Sequence, residues 1–140
     1  MKEISIKAVI IGLLVDIGGT FAFSFVFGIL AALLLLATER DIKELETISE
    51  TPGFLVPSLF VGLLFTSLGG YVAGRIAKQA EIKNAFALGM TSATLGVMFM
   101  IFLPDAKPIW LDFAGLSLII PFALIGGYVC MRTKEKDLQR

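Results

Sequence analysis

From Ala8 to Ala37 the chain runs for thirty residues with Asp16 as its only ionisable side chain. A bilayer core about 30 Å thick takes about 20 helical residues, so a run this long reads as membrane-spanning. Three further stretches carry no charge at all: Phe54 to Gly74, Ala85 to Leu103 and Phe113 to Met131. In hydrocarbon the backbone must satisfy its own hydrogen bonds, so each stretch is predicted to be helical. The expected fold is an all-α membrane protein, a bundle of four transmembrane helices in a single domain over residues 1–140. Its spans are expected at about 8–37, 54–74, 85–103 and 110–131, with an outer acidic loop over 38–53 and a basic cytoplasmic tail over 132–140.

Composition agrees and narrows the chemistry. Apolar residues make up 56% and charged residues 17%, where soluble chains carry about a quarter charged. There is no histidine, and Cys130 is the only cysteine. An internal disulfide is thereby excluded, zinc, haem and iron–sulfur sites lack their usual ligands, and histidine-based nucleophilic pairs cannot form. No glycine-rich phosphate loop is present either, so neither an enzyme nor a cofactor is expected. The formal net charge is zero and gives no sign of a nucleic-acid partner. The partners expected are the lipid bilayer and either a second copy or another membrane protein.

The first run exceeds the apolar region of about 7–15 residues in a signal peptide. It is also longer than a perpendicular span, so it either tilts or projects past the membrane toward Thr38. Pro57 falls in the first turn of the second span, where its missing N–H costs little. Pro104 and Pro108 bracket a short turn, and Pro121 is expected to kink the fourth span, with neighbouring helices or Ser117 covering the freed groups.

Nine of the twelve lysines and arginines lie on one set of alternating segments: Lys2, Lys7, Arg75, Lys78, Lys83, Arg132, Lys134, Lys136 and Arg140. Arg40, Lys43 and Lys107 lie on the other set. Positive residues favour the cytoplasmic side, which puts both termini in the cytoplasm of a plasma (bacterial inner) membrane. Trp110 then falls at the outer interface, Tyr71 and Tyr128 at the inner one. Within the acidic loop, Ile42, Leu45 and Ile48 recur every third residue among Glu39, Asp41, Glu44, Glu46 and Glu50. A solvated turn is the simplest reading, ahead of a short surface helix or an extension of the first span.

The second span ends Gly69-Gly70-Tyr71-Val72-Ala73-Gly74-Arg75 and the fourth Gly126-Gly127-Tyr128-Val129-Cys130-Met131-Arg132. Both read GGYVxxR and both helices run inward, which points to two helical hairpins related as a parallel internal repeat. Paired glycines admit another backbone, and tyrosine and arginine four residues apart share a face at headgroup depth. The motif reads first as a packing and anchoring device, and alternatively as a pair of cationic gates. Small residues also recur every fourth position: Ala8, Gly12, Asp16, Thr20, Ser24, Gly28 and Ala32 in the first span; Ser58, Gly62, Thr66, Gly70 and Gly74 in the second. Each four-residue step drifts about 40° around a helix, so no single face carries a whole series. The large residues between them, notably Phe21, Phe23, Phe25 and Phe27, are expected to include lipid-facing positions.

Asp16 lies about 13 Å along the helix from Lys7, at 1.5 Å per residue. An acid at that depth must face a partner or a water-filled space. The same ruler places Thr20, Thr66, Ser67, Thr91, Ser92 and Thr94 nearby, which predicts a polar layer built from three helices. A protonated Asp16 can donate to one of these hydroxyls; an ionised one needs water, an ion or several donors. Asp16 is thus either interhelical glue or a proton- or cation-binding group on a transport path. Gly18-Gly19 after it could loosen the helix, as in transporters with interrupted spans.

The acid within VDIGGT (15–20) followed by GGYVAGRIA (69–77) resembles small uncharacterised bacterial membrane proteins of four spans, which carry no established activity to transfer. Asp16 also places the chain beside small multidrug-resistance transporters, which are similar in having four spans and one essential acid in the first. This chain departs from them in having aspartate rather than glutamate, greater length and no tryptophan within its apolar runs. The function class preferred from sequence is a non-catalytic interaction or assembly subunit. The alternative is a proton- or cation-coupled transporter using Asp16, and a holin-like pore former comes third.

Overall fold

The computed structural model describes residues 4–38, 51–77, 79–102 and 108–139. Four helices account for nearly all of them: α1 (Ile6–Ala37), α2 (Pro52–Ala77), α3 (Glu81–Phe102) and α4 (Ile109–Leu138). Each is long and apolar enough to cross a membrane. The isoleucine–leucine stripe expected around residues 42–48, most of the acidic loop, and the turn at Pro104 lie outside the described residues.

Each helix begins earlier than its apolar run, and α2 and α4 also end later. Ser5 caps α1, its hydroxyl accepting from the Ala8 N–H at 3.4 Å. Pro52 opens α2, a position where the missing N–H costs nothing. Pro57 is consequently in the second turn rather than the first. Between α2 and α3 the chain turns sharply through Ala80, whose φ of 57° is left-handed. The residues read as a basic tail continue α4 to Leu138. There the Thr133 hydroxyl donates to the Val129 carbonyl at 2.9 Å, and lysine and glutamate are good helix formers. The α4 helix is continuous through Pro121, and there Ser117 donates to the Phe113 carbonyl at 2.7 Å instead of covering the group that proline frees, which corrects its expected role. Helix α1 is likewise unbroken at Gly18-Gly19, where Gly19 instead admits the Phe65 ring.

Around the bundle the helices follow the order α1, α2, α4, α3, with α2 and α3 also in contact across the middle. Helices α1 and α4 do not meet among the described residues. The two hairpins therefore stand side by side in the same orientation, α1 beside α3 and α2 beside α4. Close backbone approach sets these pairings. A Cβ on Gly70 would collide with the Ala123 carbonyl, and one on Gly126 with the Ser67 carbonyl, so α2 and α4 touch backbone to backbone.

Burial is unequal along the bundle. At the end carrying Ser5, Ala73, Leu88 and Ala123 are fully buried and form the core, with Val9 packed on it. Toward the Thr38 end, every α1 residue from Phe21 to Leu30 is exposed. The drift in the small-residue series is visible here: Ala8, Gly12 and Asp16 are buried, whereas Ser24 and Gly28 are not. So much exposed phenylalanine and leucine surface would be unfavourable in water and suits hydrocarbon.

Candidate functional site

Three helices converge on Asp16. A Cβ on Gly12 would lie 2.7 Å from the Gly69 carbonyl oxygen, so α1 and α2 cross in backbone contact one turn before the acid. That crossing aims the carboxylate at α2 and α3. Thr66 Oγ1 lies 2.8 Å from Asp16 Oδ1, and Ser92 Oγ lies 2.7 Å from Oδ2. Asp16, Thr66 and Ser92 are all buried, and each is bonded.

Both protonation states of the carboxyl are accommodated. The ionised form accepts both hydroxyl protons. The protonated form donates from Oδ1 to Thr66 Oγ1, because Thr66 has a second acceptor, the Gly62 carbonyl at 3.2 Å. Ser92 keeps donating to Oδ2 throughout. The carboxylate, two hydroxyls and a nearby carbonyl form an all-oxygen set, the donor type that suits a proton or a hard cation.

Only part of the expected polar layer assembles. Thr20 turns back on its own helix and donates to the Asp16 carbonyl at 2.8 Å. Thr91 and Thr94 do the same on α3, to Ala87 at 2.9 Å and Met90 at 2.8 Å. Ser67 lies on the side of α2 that meets α4, with its carbonyl against Gly126. Depth alone grouped these residues; successive helical positions differ by about 100° in direction, and of these hydroxyls Thr66 and Ser92 bond the Asp16 carboxylate.

A cavity of about 310 Å³ ends on this cluster, with Asp16, Thr66 and Ser92 in its wall beside Leu63 and Phe99. It shares Thr20, Leu59, Gly62, Gly96, Gly115 and Ile119 with a larger cleft of about 790 Å³. That cleft reaches Phe54, Leu111 and Asp112, close to the ends of α2 and α4 at the Thr38 side. Phe23 and Phe27 line it and pack on Phe65 and Phe54 at centroid distances of 6.3 and 5.6 Å. They therefore face the cleft, while Phe21 and Phe25 are the more exposed members of the series. Below Asp16 the Gly12–Gly69 crossing and the Leu88 core close the bundle. The cavity beside the acid also reaches the exposed Phe21 and Phe99 on the flank of the bundle.

The repeated motif behaves alike in both copies at its polar end. Arg75 donates to the Tyr71 hydroxyl at 2.9 Å and Arg132 to the Tyr128 hydroxyl at 2.8 Å, all at the exposed surface. The glycines pack within the chain: Gly69 on α1, Gly70 on α4, Gly126 on α2 and Gly127 on Ala85 of α3.

Sequence reasoning passed over two polar groups near the Ser5 end. Asn84 is fully buried; its Oδ1 accepts from the Ser5 N–H at 2.8 Å and its amide donates to the Ala80 carbonyl at 2.9 Å. Lys134 bridges the Gly74 carbonyl at 3.0 Å and Glu81 at 2.9 Å. All three looked like loop or tail residues, and the available signal was an asparagine immediately before an uncharged run. No protein-family model, curated protein or solved structure matches the chain.

Proposed function

We propose that this chain is a small membrane carrier in which Asp16 binds a proton or small cation that enters through the cleft at the Thr38 end. The observation that carries the reading is the position of the Asp16–Thr66–Ser92 cluster in the wall of a cavity that adjoins that cleft. Structural glue alone needs no cavity beside it, and intramembrane acids that face one mark ion pathways. The distribution of lysine and arginine supports a plasma (bacterial inner) membrane location with the Thr38 end outside. Asp112, in the cleft wall near its mouth, adds negative potential for an arriving cation.

Carboxyl infrared spectroscopy on protein reconstituted in lipid tests this directly, with Asp16→Asn as the control. A carboxyl band that responds to pH and moves with added cations is the expected result. A carboxyl signal unchanged by pH and cations alike would overturn the reading.

Assembly is the second reading, favoured by the continuous exposure of α1 from Phe21 to Leu30. Its test has to be placed on that face. Gly70 and Gly127 pack within the chain, so bulky residues there would damage the bundle itself rather than an interface between subunits.

A further inference from the structure

Several polar contacts join the described helices at the Ser5 end. They include the Ser5–Asn84 bond and the two contacts of Lys134. At the Thr38 end the hydroxyls of Thr38, Ser58, Thr94 and Ser117 bond carbonyls of their own helices. One half is tied by breakable polar links. The other holds the cleft, with Ser58 and Asp112 in its wall.

We propose that the Ser5 end is a gate, held shut by Lys134–Glu81/Gly74 and Ser5–Asn84, whose opening exposes Asp16 to that side as the Thr38 cleft closes. The inference rests on the carrier reading and deepens it, because a carrier needs its site reached from each side in turn. Lys134 comes from α4 and holds a carbonyl in the last turn of α2 and the first residue of α3, a cation at one helix C-terminus and an acid at another's N-terminus. One ammonium group therefore fastens three helices, and removing it unties both contacts at once. The side chains are 30% and 16% exposed, so water can replace the pair when it breaks. Asn84 fastens α1 separately, and α1 has no contact with α4 to oppose its movement. Beneath these ties lie the Gly12–Gly69 crossing and the small core of Ala73, Leu88 and Ala123, and these must part as well for Asp16 to be reached from this side.

The chain carries its own reporter. Cys130, the only cysteine, is 1% exposed, packs against Gly74 and sits one turn before Lys134. Opening at this end would uncover its thiol.

The experiment measures labelling by a water-soluble maleimide in lipid nanodiscs. Cys130 is followed in the native chain and in Glu81→Gln and Lys134→Met, with Lys134→Arg as the charge-preserving variant. The opposite end is followed at Ser58→Cys in a Cys130→Ala background, because Ser58 lines the cleft. Breaking the tie should speed Cys130 labelling about tenfold, as expected when a closed local state loses a modest stabilisation. Lys134→Arg should stay slow, and Glu81→Gln should slow labelling at Ser58→Cys. Asp16→Asn should shift the two rates in opposite directions. Unchanged Cys130 labelling in both tie variants overturns the gate, as does acceleration at both ends together, which marks a loosened bundle. Unresponsive labelling alongside a titrating Asp16 sinks the gate and leaves the carrier reading standing. Labelling that responds to Glu81→Gln but not to Asp16→Asn, with Asp16 silent to pH and cations, sinks the carrier reading and with it the proposed coupling.

Discussion

Gly12 and Gly69 each occupy the space where the other's side chain would begin. A Cβ on Gly12 would lie 2.7 Å from the Gly69 oxygen, and one on Gly69 would lie 2.6 Å from the Gly12 oxygen and 3.1 Å from Asp16 Cβ. The α1–α2 crossing is thus built from backbone on both sides, and it sets where the acid points.

Valine at either position should destabilise the bundle by about 1–3 kcal/mol, the usual cost of overpacking. The obstacle is a main-chain carbonyl, which cannot move aside as a side-chain tip can. Gly18→Ala is the matched comparison, since nothing lies within 4 Å of a Cβ there. Reversible unfolding in mixed micelles should separate the three, with Gly18→Ala at the native value.

Ser92 and Thr94 sit two residues apart on α3 but should respond oppositely to alanine. Ser92 donates across the bundle to Asp16, while Thr94 bonds its own helix at the surface. Interhelical hydrogen bonds of this kind contribute about 0.6–2 kcal/mol, so Ser92→Ala should lose that much and Thr94→Ala nothing measurable. Equal losses in the same unfolding assay would remove Ser92 from the site.

Replacing Asp16 by Asn keeps an oxygen and a polar group facing Thr66 and Ser92. Stability should change by no more than about 1–2 kcal/mol, within the range of intramembrane hydrogen bonds. Proton or cation flux in proteoliposomes should nevertheless disappear. A variant that retains flux would assign Asp16 to packing.

Asn84→Ala should be the costliest polar substitution. It strips the half-buried Ser5 N–H of its partner, worth about 1–3 kcal/mol for a group left unsatisfied, while the Ala80 carbonyl keeps the Asn84 N–H. Faster hydrogen exchange at the start of α1 is the accompanying signature.

Tyr71→Phe and Tyr128→Phe remove hydroxyls that bond arginines at the surface. Exposed pairs contribute little, so each should change stability by less than about 1 kcal/mol. A larger loss would show that the repeated motif does more than anchor the helix ends.

The number of helices was legible because a charge-free run of span length admits one structure in hydrocarbon. Asp16 was legible for the same reason, as the single exception in its run. What could not be read was direction around each helix. Helix α1 is apolar on every side, so no stripe distinguishes the face toward α2 from the face toward lipid. Depth could be counted residue by residue, and it correctly brought Thr66 and Ser92 to Asp16. It brought Ser67, Thr91 and Thr94 along with them because rotation was missing from the count. Asn84, Glu81 and Lys134 escaped notice for a different reason. Charged and polar residues at span ends are ordinarily solvated, and only the folded packing brings Lys134 onto a helix fifty-three residues away in the chain.

The uneven burial has a thermal consequence. Backbone amides near Ala73, Leu88 and Ala123 are shielded by protein on every side, whereas those from Phe21 to Leu30 owe their protection to the surrounding solvent phase. Local opening follows the least-packed region first. Warming, thinning the bilayer or exchanging lipid for detergent will therefore act on the Thr38 half well before it reaches the core. The chain has a firm half set by its own glycines and a soft half set by its surroundings.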